Sequence, residues 1–492
     1  MADLVLAIDQ GTTGTTVMLL DGRGKIRARA YAELRQYYPR PGWVEHDAEE
    51  IYRAVVRLSR EALRRARADA GDLAAIGLTN QRETFVVWER ASARPLHRAI
   101  VWQCRRSAEI CDELRDREAE VAQATGLLID PYFSGTKLKW LLDHDRAMRR
   151  RAERGDVCFG TIETWLIFRL SRGAAFVTDF TNASRTMMLD LDRLEWAPAM
   201  LEMLGVPEPM LPRPLPSRGP LAEAAAGTIG NRAVPIACAI GDQQSALFGN
   251  GCVRPGAAKV TYGTGAFLLT HTGSRRVVST NRLLSTVALG PAGEPALALE
   301  GSVFIAGAAV QWLRDGLGLI AKSSDTAALA RRSRDRTQPY VVPAFVGMGA
   351  PYWDSRARGA ILGLTRGTAR ADLVRATLDS IAYQVCDVLA AMEKDIAHRI
   401  RELRVDGGAA ANDYLMQFQS DLLARPVRRP AMAETTALGA GLLAGIVAGL
   451  WRSAADVASL RAAGRVFKPK ISARERASLL AGWHDAVAQT LG

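Results

Sequence analysis

Pro235-Ile-Ala-Cys-Ala-Ile-Gly-Asp-Gln-Gln-Ser-Ala-Leu-Phe-Gly249 is the stretch that decides the fold. Ile236 to Ile240 is a run of small apolar residues, the pattern of a buried strand. Gly241 lets the backbone turn sharply. Asp242 follows, then the amides Gln243 and Gln244, then a helix-like Ser-Ala-Leu-Phe. A carboxylate at the C-terminal end of a buried strand, just before a helix, lies where open α/β sheets place their ligands. There it can take a proton from a substrate hydroxyl, or it can simply cap the helix that follows. The stretch by itself leaves both roles open.

The chain around it has 492 residues, too many for one core, so two domains of similar size are expected, with the boundary just after Gly249. Hydrophobic residues make up 48% and charged residues 24%, which fits a globular protein better than a disordered or fibrous one. The net charge of +12 invites an anionic partner. The excess is dispersed, however, and only eight of the 64 basic residues are Lys. Arg146 to Arg154 is the densest basic patch, flanked by Asp145 and containing Glu153, without interleaved aromatics. That composition marks a solvated helix face, not a nucleic-acid surface. The six Cys form no C-x-x-C pair and several lie in apolar runs, as expected of reduced thiols in the cytoplasm. The six His lack metal-ligand spacing. The N-terminus has no basic region or cleavage site of a signal peptide. Ala437 to Trp451 is uncharged but short and Gly-rich, a buried core helix and not a membrane span.

Towards the N-terminus, Leu4 to Ile8 and Val17 to Leu20 read as strands joined by Asp9-Gln-Gly-Thr-Thr-Gly-Thr-Thr16. Backbone N–H groups and hydroxyls at such a tip can cradle phosphates. Asp9, at the strand end, is placed to hold a metal ion through water; the bland alternative is a plain β-turn. Asp47 to Ala68 is a helix with Asp47 as cap and Glu50 at the capping-box position. Leu73 to Leu78 is strand-like and delivers six polar residues, Thr79-Asn-Gln-Arg-Glu-Thr84, a run that is costly unless it faces solvent or a ligand. Arg82 and Glu83, donor and acceptor, suit a polyhydroxy substrate, or else form a surface ion pair. Ala99 to Cys104 reads as a strand carrying Trp102, and Tyr132 sits in a turn before a helix. Thr178 to Thr186 is polar and turn-rich, and Pro207 to Pro220 is a surface connection.

The second half echoes the first. Lys259-Val-Thr-Tyr-Gly-Thr-Gly-Ala-Phe-Leu-Leu-Thr270 is another strand–Gly/Thr turn–strand hairpin. Two such hairpins, one near the start of each half, suggest related domains that share a phosphate chain. Gly301 to Leu317 is a helix candidate, and Leu373 to Ile396 is a long helix. In Leu403-Arg-Val-Asp-Gly-Gly-Ala-Ala-Ala-Asn412 a strand meets Gly407 and Gly408, where a flat ring can approach the backbone; Asn412 can contact that ring or cap the next helix. G-x-x-x-x-G-K-[ST] is absent, which excludes a P-loop NTPase.

Together these motifs resemble the FGGY carbohydrate kinase family, in particular the branch that acts on glycerol. They include Asp9-Gln-Gly-Thr-Thr13, Pro41-Gly-Trp-Val-Glu-His-Asp47, Thr79-Asn-Gln-Arg-Glu-Thr84, Gly241-Asp-Gln-Gln244, Gly263-Thr-Gly265, Gly349-Ala-Pro-Tyr-Trp-Asp354 and Val405-Asp-Gly-Gly-Ala409, in the family's order and nearly end to end. The resemblance implies an α/β fold of two actin-like (ribonuclease-H-like) domains with an interdomain catalytic cleft, residues 1–249 binding the polyol and residues 250–492 the nucleotide. It implies transfer of the ATP γ-phosphoryl group to glycerol, giving sn-glycerol 3-phosphate, with domain closure excluding water. Arg82, Glu83, Trp102, Tyr132, Asp242, Gln243 and Phe267 would then hold glycerol. Thr12, Thr13, Gly14, Thr264, Gly307, Gln311, Gly408 and Asn412 would hold ATP, Asp9 would serve Mg²⁺, and Asp242 would be the general base. A cytoplasmic homo-oligomer, dimer or tetramer, is expected. Two departures stand out. The family usually reads Thr-Thr-Ser-Ser-Arg where this chain has Thr12-Thr-Gly-Thr-Thr16, so the hairpin should rely more on its backbone N–H groups. Gly230-Asn-Arg-Ala233 only partly matches the loop that some bacterial members use for sugar-bisphosphate control. The competing readings are an FGGY kinase for a pentulose or another polyol, an actin-like regulator without turnover, and, on net charge alone, a nucleic-acid binder.

Overall fold

Leu4–Gln10 lies inside a six-stranded sheet of the computed structural model. The strand order is Arg218–Ala224, Val234–Gly241, Leu73–Asn80, Leu4–Gln10, Gly14–Leu20 and Ile26–Glu33. Val234–Gly241, Leu73–Asn80 and Leu4–Gln10 run parallel, with Gly241 opposite Asn80 and Asp9 opposite Thr79. The structure describes residues 3–333, 338–354, 356–432, 434–453, 455–456 and 464–491. Two compact units result. The first comprises Met1–Val253, Ser285–Leu297 and Thr435–Arg461; the second comprises Arg254–Leu284, Ala298–Glu434 and Ala462–Gly492.

In the first unit the side chains alternate across the sheet, as strand geometry requires. Leu6, Ile8, Val17 and Leu19 join Ile51, Val55, Leu58 and Ala62 of the helix Ala48–Ala66 in one core. Each of the Leu, Ile and Val side chains contributes about 1.5–3 kcal/mol when fully buried. The other face is covered by Thr435–Val447, which approaches so closely that a Cβ on Gly77 would stand 2.3 Å from the Ala440 carbonyl oxygen. No helix among the described residues is long and apolar enough to cross a membrane.

The second unit repeats the plan. Its strands Ala266–Gly273, Ala258–Tyr262, Leu403–Asp406, Val427–Arg429 and Arg465–Phe467 are successive neighbours in one sheet. Ala258–Tyr262, Leu403–Asp406 and Val427–Arg429 run parallel. The helix Arg370–Ile396 buries Leu378, Ile381, Val385, Val388 and Met392 against this core.

Several local expectations give way. The strand expected over Ala99 to Cys104 is only Ala99–Ile100: Val101 N–H still bonds the Val44 carbonyl in register with the Glu45–Ile100 pair, but Cys104 N–H turns back to the Val101 carbonyl. Asp47 does cap its helix, accepting from Glu49 N and Glu50 N, but Glu50 accepts from Arg35 N at 3.3 Å instead of closing a capping box. Gly301 to Leu317 is not one helix: a strand runs to Val303, Gly307–Gln311 is helical, and Trp312–Gly316 widens into a π turn. Pro207 to Pro220 is not all loop, since Arg213–Leu215 pairs in parallel with Val177–Asp179. The polar run Thr178 to Thr186 is buried almost throughout.

Candidate active site

Asp242 stands at the junction of the strand Val234–Gly241 and the helix Asp242–Gly249. The N-cap is Gly241, and Asp242 occupies the first helical position, so its carboxylate is not the helix cap. A negative charge in a first helical turn is favoured by the exposed N–H groups there. Its side chain is 27% exposed, and Oδ1 accepts from the Gln243 N–H at 2.7 Å. Arg82 Nε lies 3.3 Å from that same Oδ1.

Arg82 and Glu83 follow the neighbouring strand, and the whole run Thr79 to Thr84 is buried. Burying six polar residues is tolerable because five of their side chains find partners, Thr79 Oγ1 being the exception. Asn80 exchanges amide bonds with Asn182, each 3.0 Å. Gln81 donates to Gln10 Oε1 at 3.1 Å and accepts from Thr84 Oγ1 at 2.9 Å. Gln81 Nε2 also lies 3.3 Å from His46 Nδ1, and burial pushes the His46 imidazole down to about 4, so it is neutral at pH 7 and Nδ1 can accept. Glu83, at φ 61°, accepts from Arg185 Nε at 2.6 Å. Arg82 donates to Tyr132 Oη at 3.2 Å and to Gln244 Oε1 at 3.3 Å. Arg82 and Glu83 are therefore no surface ion pair.

Tyr132 is held from behind. The Lys137 ammonium donates to the carbonyls of Pro131 and Tyr132, both at 2.8 Å. Trp102 meets the Tyr132 ring edge-on at 5.6 Å and donates its indole N–H to Thr12 Oγ1 at 2.9 Å. This bond ties the aromatic wall to the hairpin of Leu4–Gln10 and Gly14–Leu20, whose tip is closed by Gly11 N–H to the Gly14 carbonyl. Gly14 has a local cause: a Cβ there would lie 2.5 Å from the Ala32 carbonyl oxygen and 2.6 Å from Tyr31 Oη. Thr13 is exposed at the tip.

Asp9 shares this end of the sheet, opposite Thr16 and Thr79. Burial, and then the negative charge of Asp242, push its carboxyl up to about 7. Two acidic groups that repel one another suit a divalent cation. The described residues hold no cluster of three or more His, Cys, Asp or Glu, so such an ion would keep mainly water and substrate oxygens as ligands, as Mg²⁺ commonly does.

The remaining expected residues lie in the second unit. Phe267 sits opposite Thr261 in the hairpin of Ala258–Tyr262 and Ala266–Gly273. At its tip the Gly263 carbonyl accepts from Gly307 N–H at 3.0 Å, and the Thr264 carbonyl accepts from Ala306 and Ala308 N–H. Gly307, Gln311, Gly408 and Asn412 line one cavity of about 680 Å³ together with Gly263 and Leu415. Asn412 caps the helix Asp413–Leu423, accepting from Tyr414 N and Leu415 N, and donates to Thr326 Oγ1 at 3.0 Å. It is a wall of the cavity and a cap at once.

Sequence reasoning passed over Gln244, Lys137, Arg185, Thr181 and Asn182, all of which brace the residues above. The density of polar residues from Thr178 to Thr186 was the available signal for three of them.

A two-unit α/β fold with hairpin-borne Gly/Thr tips, an acid at a strand end and a separate Gly-lined cavity defines the class: a phosphotransferase built on paired actin-like domains. Residues 4–249 match the FGGY family of carbohydrate kinases, N-terminal domain, and residues 258–448 match the C-terminal domain. This chain belongs to the FGGY family of carbohydrate kinases. It is 49% identical over 490 residues to glycerol kinase 2 of Thermotoga maritima, covering 99% of each chain. It is 52% identical over 489 residues to the glycerol kinase of Geobacillus kaustophilus, again covering 99% of each. The crystal structure of Plasmodium falciparum glycerol kinase with ADP is similar at TM-score 0.92 and 34% identity, over 99% of this chain and 98% of that one. A xylulose kinase from Lactobacillus acidophilus, at TM-score 0.86 and 21% identity over 99% of this chain and 97% of that one, shares the fold.

Proposed function

We propose that this chain transfers the γ-phosphoryl group of ATP to a terminal hydroxyl of glycerol, giving sn-glycerol 3-phosphate and ADP. The observation that carries this is the Asp242 carboxylate beside the buried Arg82 guanidinium, with Tyr132 on the same guanidinium and Trp102 against Tyr132. These groups offer a small polyol one base, one fork of donors and an aromatic wall. The full-length similarity to glycerol kinases at 49–52% identity supports glycerol over a pentulose.

The terminal hydroxyl attacks the γ-phosphorus in line. A bond forms from that oxygen to phosphorus, the bond from phosphorus to the β,γ-bridging oxygen breaks, and the hydroxyl proton passes to Asp242. Such a reaction asks the protein mainly for positioning and charge neutralisation. Arg82, Glu83 and Gln243 orient the hydroxyls, and Trp102 and Phe267 face the carbon backbone. Thr12, Thr13 and Gly14, with Thr264, offer hydroxyls and backbone N–H groups to the phosphates. The cavity of Gly307, Gln311, Gly408 and Asn412 takes the nucleoside end of ATP. Asp9 would hold Mg²⁺ through water; when bound, the ion neutralises phosphate charge. The six thiols are buried and free, which fits a reducing cytoplasm. We extend the proposal to a homo-oligomer, which sedimentation would test.

A coupled assay of ADP release across glycerol, xylulose, ribulose and erythritol tests this reading. It expects release with glycerol that exceeds every other acceptor. A preference for a pentulose would replace glycerol as substrate, and no release with any acceptor would favour a regulator without turnover.

A further inference from the structure

Asp179 is fully buried and belongs to none of the groups that would touch substrate. It ends the strand Val177–Asp179 and caps the helix Phe180–Ala183. Its carboxylate gathers five donors. Oδ1 accepts from Asn182 N–H at 3.3 Å and Asn182 Nδ2 at 2.7 Å. Oδ2 accepts from Thr181 N–H at 2.8 Å, from the Thr181 hydroxyl, and from Ser217 Oγ at 2.6 Å. A carboxylate so deep would be expensive without such partners.

Two of those partners pass the constraint on. The Thr181 hydroxyl spends its only proton on Asp179, which leaves its lone pairs free to accept; Gly241 N–H donates to it at 2.8 Å. Gly241 is the residue before Asp242, and no side chain caps the helix there. Asn182 points one amide hydrogen at Asp179 and the other at Asn80 Oδ1, while Asn80 returns a bond to Asn182 Oδ1. Asn80 ends the strand that leads into Arg82 and Glu83, and it lies opposite Gly241 in the sheet. One carboxylate thus pins two adjacent strand ends.

We propose that Asp179, acting through Thr181 and Asn182, is a positioning residue that fixes Asp242 relative to Arg82 and so sets the rate of phosphoryl transfer. The inference rests on the glycerol-phosphorylating reading above. It requires that the relay affect turnover more than nucleotide binding, because it ends on the strand junctions of the first unit and not on the Gly-lined cavity.

Thr181→Val keeps the β-branched shape and removes both the hydroxyl donor and its lone pairs; Thr181→Ser keeps the hydroxyl. The expected result for Thr181→Val is a fall in kcat of about 10- to 10²-fold, with KM for ATP unchanged. Thr181→Ser should return to within about threefold of the parent. Ser217→Ala, which takes one donor from Asp179, should give a smaller loss in the same direction and serves if Thr181→Val does not fold. Hydrogen exchange at the Gly241 amide is read on the same proteins, and should quicken in Thr181→Val but not in Thr181→Ser. Faster exchange with unchanged kcat per folded molecule would overturn the positioning role while leaving glycerol phosphorylation intact. An equal loss in Thr181→Ser would also overturn it. A parent protein inactive on glycerol would overturn both.

Discussion

Arg82 Nε lies 3.3 Å from Asp242 Oδ1, and the strands that deliver the two residues end side by side, Asn80 opposite Gly241. The guanidinium also reaches Tyr132 and Gln244, so one planar fork serves three partners. Lysine carries the charge but not the fork. Arg82→Lys is therefore expected to lower kcat/KM for glycerol by about 30-fold or more, corresponding to the ~2–5 kcal/mol lost when one partner of a buried charged pair is cut back. KM for ATP should hold. Steady-state kinetics with each substrate varied in turn checks this.

Glu83 and Arg185 are both buried, 2.6 Å apart. Removing one charge strands the other. Arg185→Met is expected to cost about 3–5 kcal/mol of stability, and the double variant with Glu83→Gln to cost less than the single one. Urea unfolding of the three proteins gives the comparison.

Lys137 is fully buried, and desolvation pushes its ammonium down to about 8 against the opposing pull of Glu83 and Asp130. The unfolded chain holds this proton up to the ordinary lysine value of about 10.5. Between these values the unfolded state binds more protons, so this group makes stability rise with pH, by at most about 1.4 kcal/mol per unit. Below pH 8 both states are protonated and the slope vanishes. The stability difference between the parent and Lys137→Met should therefore move in the parent's favour from pH 7.5 to pH 9. Unfolding curves at the two pH values measure it, and a pH-independent difference would contradict the assignment.

Gly407 and Gly408 are adjacent but not equivalent. Gly407 has φ 86°, and a Cβ there would stand 2.4 Å from the Tyr262 carbonyl oxygen. At Gly408 a Cβ would meet nothing within 4 Å, and the residue lines the second unit's cavity. Gly407→Ala should lower the melting temperature by several degrees, a strain of about 1–3 kcal/mol. Gly408→Ala should keep the melting temperature and raise KM for ATP several-fold.

The sequence was legible where periodicity or a motif ran unbroken. Ile236 to Ile240, the two Gly/Thr hairpins and the helix with Ile381 and Val385 all stand where alternation and helical spacing place them. Ala99 to Cys104 misled because an apolar run says nothing about where backbone bonds go; Cys104 N–H turns back to the Val101 carbonyl. The bracing layer was the least visible part. Lys137, Arg185 and Asp179 are polar residues with no periodic signature, and burial overrides what their charge suggests. Only their partners, near in the chain for Lys137 and far for Arg185, explain why they are inside.

The central claim is that Asp242 removes the proton of the attacking hydroxyl. Asp242→Asn keeps the shape and removes the base, so glycerol-dependent ADP release by this variant, beside the parent, is the direct test. The account predicts a fall in kcat of about 10²–10⁴-fold with the fold intact. Turnover equal to the parent's would contradict it.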